Sequence, residues 1–482
     1  LSGKSKEWIV EADIRALQKA MEAGEIRAVE LVAFYLERIE KLNKIINAVL
    51  EINPDALQIA QALDDERLKQ GSRGQLHGIP ILLKDNIDTG DRMHTSAGSL
   101  ALAQSRAAED AFIAAKLRES GAVLLGKVNM TEWANFMSGP MPSGYSSRGG
   151  QVLNPYGPGQ FEVGGSSSGS GAATAASFAA AAIGTETSGS IVNPAHHNSL
   201  VGLKPTVGLL SRIGIIPISH SQDTPGPMAR TVMDAALLLG ALTGVDPRDP
   251  LSLASEGNRH AHRDYTTYLD ANSLQGARIG IPRRFYKELS DEARIIAENA
   301  IQVLREQGAV VIDPVSLPCE QAEWTSEVLR YEFKKDLNDY LSKLDASIPV
   351  HTLQEVIAFN NEHAEKALVY GQNTLIWSDE TSGTLTEDEY LHNLAHYQEL
   401  TRSCGIDHVI EEHQLDALLF PGDEGYDIAA RAGYPLLNVP AGYTAEGPMG
   451  IMFAAGAFSE GKLLALGYAF EQATKHRRAP NL

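Results

Sequence analysis

Residues 164–170 read GGSSSGS, and residues 184–195 read GTETSGSIVNPA. No side chain in the first knot is large enough to fill a core, and almost everything between the two serine–glycine knots is alanine. Residues this small let backbones approach one another, or a substrate, closely. The knots pose one question, which of their serines is a nucleophile, and neither contains a histidine to take its proton. GSSSG (165–169) fits the GxSxG elbow of serine hydrolases and would nominate Ser167. That elbow follows a strand and needs a later acid and histidine. QFEVG (160–164) is a poor strand, and no later histidine sits in a recognisable loop. A glycine/serine loop packed beneath a helix is the plainer reading of the same composition.

A lysine offers another base. GIPILLKDN (78–86) ends an apolar strand run on Lys84. A lysine there is either expelled to solvent or kept for work, because burial disfavours the ammonium and lowers its pKa. Bringing a lysine from its ordinary pKa to near neutrality costs roughly 4–5 kcal/mol. A fold tolerates that for a general base.

The rest of the chain narrows the function classes. It has 482 residues, 43% hydrophobic and 21% charged, with a net charge of −20. A surface that acidic repels phosphate backbones, so no direct nucleic-acid partner is expected, and acidic substrates are disfavoured. Cys319 and Cys404 have neither metal nor disulfide-framework spacing. No long apolar run predicts a membrane span. The chain opens on Leu1, so a removed leader stays open, and the cytoplasm is the default compartment.

Helical periodicity marks the first seventy residues. From Gly78 short apolar runs alternate with helices: IPILL (79–83), AVLLG (122–126), VGLK (201–204), ARIGI (277–281), AVVI (309–312), DALLF (416–420) and PLLNVP (435–440). This pattern predicts an α/β fold, with a mixed, largely parallel central sheet covered by helices on both faces. Residues 250–405 are more charged and more helical, with one long helix expected over 319–344. Three decoys are set aside. GAVLLGK (121–127) resembles a phosphate loop but has Val128 where Ser/Thr is needed, and AVLL reads as strand. His392 and His396 share a helix face without a third ligand. His196 and His197 are adjacent, so their side chains point apart.

Together GIPILLKDNI, GGSSSGSG, GTETSGSIVNPA and VGLKPTVG (201–208) resemble the amidase signature family of serine amidases. Within it, GKVNMTEWANF (126–136), SRGGQ (147–151) and ISHSQDTPGPMAR (218–230) look closest to bacterial peptide amidases. The resemblance implies a single amidase domain over 1–482: a helical N-terminal region (1–75), the signature core (76–250), a helical elaboration (251–405), and C-terminal strands with a helix (406–482). It implies hydrolysis of carboxamide C–N bonds through an acyl-enzyme, releasing ammonia from C-terminal peptide amides or other small neutral amides. Ser190 matches the nucleophile, Ser166 the serine after a cis peptide bond, and Lys84 the base. The backbone N–H groups of Thr187, Ser188, Gly189 and Ser190 match the oxyanion hole. Trp133, Asn135 and Phe136 are its candidate pocket walls.

No metal or organic cofactor is implied, and the partner expected is a small-molecule or peptide amide, with the chain a monomer or homodimer. Many members carry glycine at Ser188 and arginine at Val192. The valine removes a cation that a carboxylate beside the amide would use. FPGDEGYDIAARAGYP (420–435) is also shorter than in peptide amidases, which opens the pocket. Two other readings follow: the glutaminase (A-type) subunit of a tRNA-dependent amidotransferase, and a catalytically silent binding protein of the same fold.

Overall fold

The computed structural model describes residues 6–256 and 264–482. Residues 1–5 of the N-terminal region and 257–263 of the helical elaboration lie outside the described residues. The strands are β1 (Val49–Ile52), β2 (Pro80–Lys84), β3 (Val123–Val128), β4 (Tyr145–Ser146), β5 (Gly150–Gln151), β6 (Ala181–Glu186), β7 (Val201–Lys204), β8 (Thr224–Ala229), β9 (Arg278–Pro282), β10 (Val310–Val315), β11 (Ala417–Pro421), β12 (Leu436–Thr444) and β13 (Gly447–Ala454). Eleven of them form one sheet in the order β1-β3-β2-β6-β8-β7-β12-β13-β11-β9-β10, and β4 pairs with β5.

The sheet is mixed, as the sequence predicts. Parallel ladders join β3 to β2 to β6 on one flank and β11 to β9 to β10 on the other. The strands between these blocks, and β1 at the edge, pair antiparallel. Where a helix joins consecutive paired strands, as from β2 to β3 and from β9 to β10, they run parallel, while the short turn from β12 to β13 makes an antiparallel pair. All of β2, β3, β6 and β13 is buried, which is why they read as unbroken apolar or alanine runs.

Helices cover both faces. Phe112–Glu119, Val232–Leu242, Asp291–Glu306 and Glu460–Thr474 pack against one another and the sheet, while Ser168–Ala175 packs on Val192–His197 and on β2, β3 and β6. The glycine and serine content of Ser168–Ala175 sets that contact. A Cβ on Gly169 would stand 2.2 Å from the Asn129 carbonyl oxygen, so only glycine lets the helix sit so low.

The helical segment forms a satellite layer. Glu327–Leu341, Leu353–Glu362 and Asn373–Asp379 bury Phe333, Leu337, Val356 and Leu375 against Met130, Trp133 and Phe136. The expected long helix begins only at Glu327. Leu317 and Cys319 instead drop into an apolar cluster with Val409 and Phe420, turning the chain before the helix starts. No helix among the described residues is long and apolar enough to cross a membrane.

Candidate active site

Strand β2 delivers Lys84 to the interior at its C-terminal end, and Lys84 is fully buried. Its Nζ donates to Ser166 Oγ at 2.8 Å, to Thr185 Oγ1 at 2.9 Å and to the Thr185 carbonyl at 3.2 Å. Burial pulls its pKa down to about 7, against the opposing pull of Asp223 and Glu186. Asn86, two residues on, donates to the same Thr185 hydroxyl at 2.9 Å. The lysine is therefore set among hydroxyls beside two carboxylates.

The first serine knot runs from a turn into the helix Ser168–Ala175, and its Gly165–Ser166 peptide bond is cis. Ser166 and Ser167 are both buried. Ser167 is occupied elsewhere: its Oγ donates to the Thr185 carbonyl at 3.0 Å, and its N–H to the Ser190 carbonyl at 3.2 Å. That leaves the elbow reading without an exposed serine. The second of these bonds also ties the two knots together.

The second knot follows β6. Gly189 has φ +85°, and a Cβ there would meet the Tyr426 ring at 2.8 Å. Glu186 is buried beneath the loop. Its Oε1 accepts the Gly189 N–H at 2.8 Å, while Oε2 accepts those of Ile191 at 2.7 Å and Val192 at 3.0 Å. This corrects one sequence expectation. The Gly189 N–H is committed to Glu186, so Thr187, Ser188 and Ser190 remain as candidate oxyanion donors. The Val192 side chain lies in an apolar cluster, away from any polar role.

Ser190, Ser188, Thr187, Gly189 and Gly165 line a cavity of about 320 Å³ with Asn135, Phe136, Asn193, Leu329 and Tyr426. Asn135 and Phe136 are two of the three residues that the sequence nominates for its walls. Trp133 is not among the lining residues. It is buried in the apolar layer beneath with Met130 and Met137. Trp133, Ala134 and Asn135 all have φ between 50° and 70°, a left-handed run in non-glycine residues that the surrounding packing must enforce.

The decoys resolve by their partners. Lys127 of GAVLLGK is in β3, and its Nζ donates to the carbonyls of Ile87 and His94 and to Thr95 Oγ1, leaving nothing for a phosphate. His392 and His396 stack at 5.7 Å on one helix face. The expectation that His196 and His197 point apart is not met: their rings meet edge to face at 4.7 Å, and with Asp423 they lie close enough to hold a metal. However, His196 Nδ1 accepts the Gly450 N–H at 3.0 Å, which puts the proton on Nε2 of the neutral ring and removes it as a ligand. His220, Glu332 and Asp336 form a second such group, and Glu332 already accepts from Tyr390 and Ser221.

Sequence reasoning missed Thr185, Glu186, Asn86 and Asp223. The acids carried a signal, each being a carboxylate beside or inside an otherwise small or apolar run.

The amidase family model matches residues 30–464. The native peptide amidase of Stenotrophomonas maltophilia has a TM-score of 0.91 to this chain at 45% identity, over 98% of each. An Arabidopsis thaliana protein bearing the name "Probable amidase" is 43% identical over 98% of this chain and 92% of its own length. The A-type subunit of glutamyl-tRNA(Gln) amidotransferase from Alkalilimnicola ehrlichii is 34% identical over 98% of this chain and 99% of its own. Fold, motifs and relatives agree: the chain belongs to the amidase family, hydrolases of amide C–N bonds.

Proposed function

We propose that the chain hydrolyses C-terminal carboxamides of short peptides, and other small neutral amides, through Ser190, Ser166 and Lys84. The observation that carries the reading is the buried Lys84 Nζ at 2.8 Å from Ser166 Oγ, next to the cavity that Ser190 lines. A neutral amine has two N–H groups and one lone pair. It can give both protons to Thr185 and accept the Ser166 proton, the reverse of the bond an ammonium makes.

Ser190 Oγ attacks the amide carbonyl carbon, its proton passing to Ser166 as the Ser166 proton passes to Lys84. The carbonyl oxygen gains charge and is held by backbone N–H groups of Thr187, Ser188 and Ser190, each important donor being worth about 3–4 kcal/mol. Collapse breaks the C–N bond while Lys84 returns a proton through Ser166 to the leaving nitrogen. Ammonia departs, and water then cleaves the Ser190 ester by the same relay.

The cavity wall favours neutral substrates. Among the described residues that line it, none is a lysine or arginine. A glutaminase needs a partner for the substrate carboxylate, so the amidotransferase reading is second. The test is ammonia release by the purified chain from a C-terminally amidated dipeptide and from free glutamine. Release from the dipeptide amide alone supports the proposal. Release from glutamine alone overturns it in favour of the amidotransferase reading.

A further inference from the structure

A carboxylate that the mechanism above does not use lines a cavity with Thr185, the residue whose hydroxyl meets Lys84. Asp223 sits on the loop entering β8, partly exposed where it lines a second cavity with Asn86, Thr185 and Thr187. Its Oδ1 accepts the Thr187 hydroxyl at 2.6 Å. Its Oδ2 accepts the N–H groups of Ile218 at 2.8 Å and Ser219 at 2.9 Å. The neighbouring Gln222 Nε2 donates to the Thr187 carbonyl at 3.1 Å. Thr187 is therefore held by this loop at both its side chain and its carbonyl.

We propose that Asp223 is a positioning residue of the amidase site: it hangs Thr187, and with it the oxyanion loop, from the 218–219 backbone while turning a negative charge toward Lys84. The inference rests on the assignment of Lys84 and Ser190 above.

The charged groups around this pair come from three further elements. Glu186, at the end of β6, faces Lys84 but spends both oxygens on backbone N–H groups. Asp336, on the helix Glu327–Leu341, faces Asp223 and pairs with His220 at 2.8 Å. Arg212 faces Asp223 but is taken by Asp249 at 2.6 Å. Asp223 is thus the carboxylate near Lys84 that also holds the oxyanion loop by a side-chain hydroxyl. Burial lifts its own pKa to about 6, so it is charged where Lys84 becomes neutral.

Asp223→Asn separates the two roles. The amide can keep every bond, its NH₂ donating to Thr187 Oγ1 and its oxygen accepting the two N–H groups, while the charge is lost. Without that charge the ammonium of Lys84 is less favoured and the neutral amine persists to lower pH. The acid limb of kcat/KM is expected to move down by about 1 pH unit. A limb that stays in place overturns the electrostatic role. Thr187→Val keeps the charge and cuts the tether. Its plateau kcat is expected to fall about tenfold with the limb unmoved, and an unchanged plateau overturns the positioning role even if Asp223→Asn does not fold. Ser190→Ala, assayed alongside, tests the underlying assignment: only if it is active does the site reading itself fail.

Discussion

Two lysines on neighbouring strands, Lys84 on β2 and Lys127 on β3, are both fully buried, yet only one is suited to catalysis. Their registers differ by one position, Leu83 facing Lys127 and Lys84 facing Val128, so their side chains leave opposite faces of the pair. Burial lowers the pKa of both. Lys127 is ringed by Asp85, Asp88, Asp91 and Glu51, and two of its three acceptors are carbonyls. Four carboxylates around one amine favour the ammonium. Lys84 has hydroxyls at two of its three contacts, and a hydroxyl can reverse its bond. The partners decide between a structural ammonium and a reactive amine. Burial alone does not.

The largest effects are expected on turnover at the first lysine's site. Ser190→Ala should cost about 10⁴-fold or more in kcat, and Lys84→Met about 10²–10⁴-fold, both read as ammonia release. Lys127→Met should break the comparison the other way. It strips the cation from buried Asp85 and Asp88 and should cost about 3–5 kcal/mol of stability in urea unfolding, with activity of the folded fraction retained.

Smaller, and opposite in sign, is the effect of Lys84→Met on stability. The folded pKa of Lys84, about 7, lies below that of the unfolded chain, so the unfolded state binds the extra proton. This weakens the fold fully below pH about 7, and the penalty is relieved as pH rises toward the unfolded value. The methionine variant should be more stable at neutral pH by about 1–3 kcal/mol, the gain shrinking in alkali. Wild-type kcat/KM should rise with pH through about 7 as Lys84 loses its proton. Smallest is Leu329→Ala, on the cavity wall, expected to lower kcat/KM for bulky apolar amides by about 1 kcal/mol.

Much of this was legible in the sequence. Lys84 stood at the end of an apolar run, and the two knots marked the loops that meet it. Of the main-sheet strands, β1, β6, β8 and β13 were hidden from view, β1 inside the N-terminal region that reads as helical. β6 (AAIGTE) has Ile183 as its one large apolar residue, with the helix Ser168–Ala175 packed on it, so it reads as a continuation of the alanine stretch before it. β8 carries Pro225 and Pro227, which argue against a central strand. Its prolines occupy alternate positions, so the missing N–H groups face one side, and β7 pairs with it only at Met228 and Ala229. Nor could the sequence show that the Gly189 N–H is spent on Glu186, since that depends on a carboxylate folding back under its own loop.

The close seating of Ser168–Ala175 has a consequence for how such an enzyme can diversify. At Gly169, and at Gly184 where a Cβ would meet the Ser167 hydroxyl at 2.8 Å, the floor of the site has no space to trade. New substrate ranges must then be written on the opposite wall, where Ser326 and Leu329 enter the cavity from the helical segment. One side of the cleft is a fixed press and the other its interchangeable die, so a library aimed at residues 326–341 should yield altered specificities while one aimed at 164–175 returns unfolded protein.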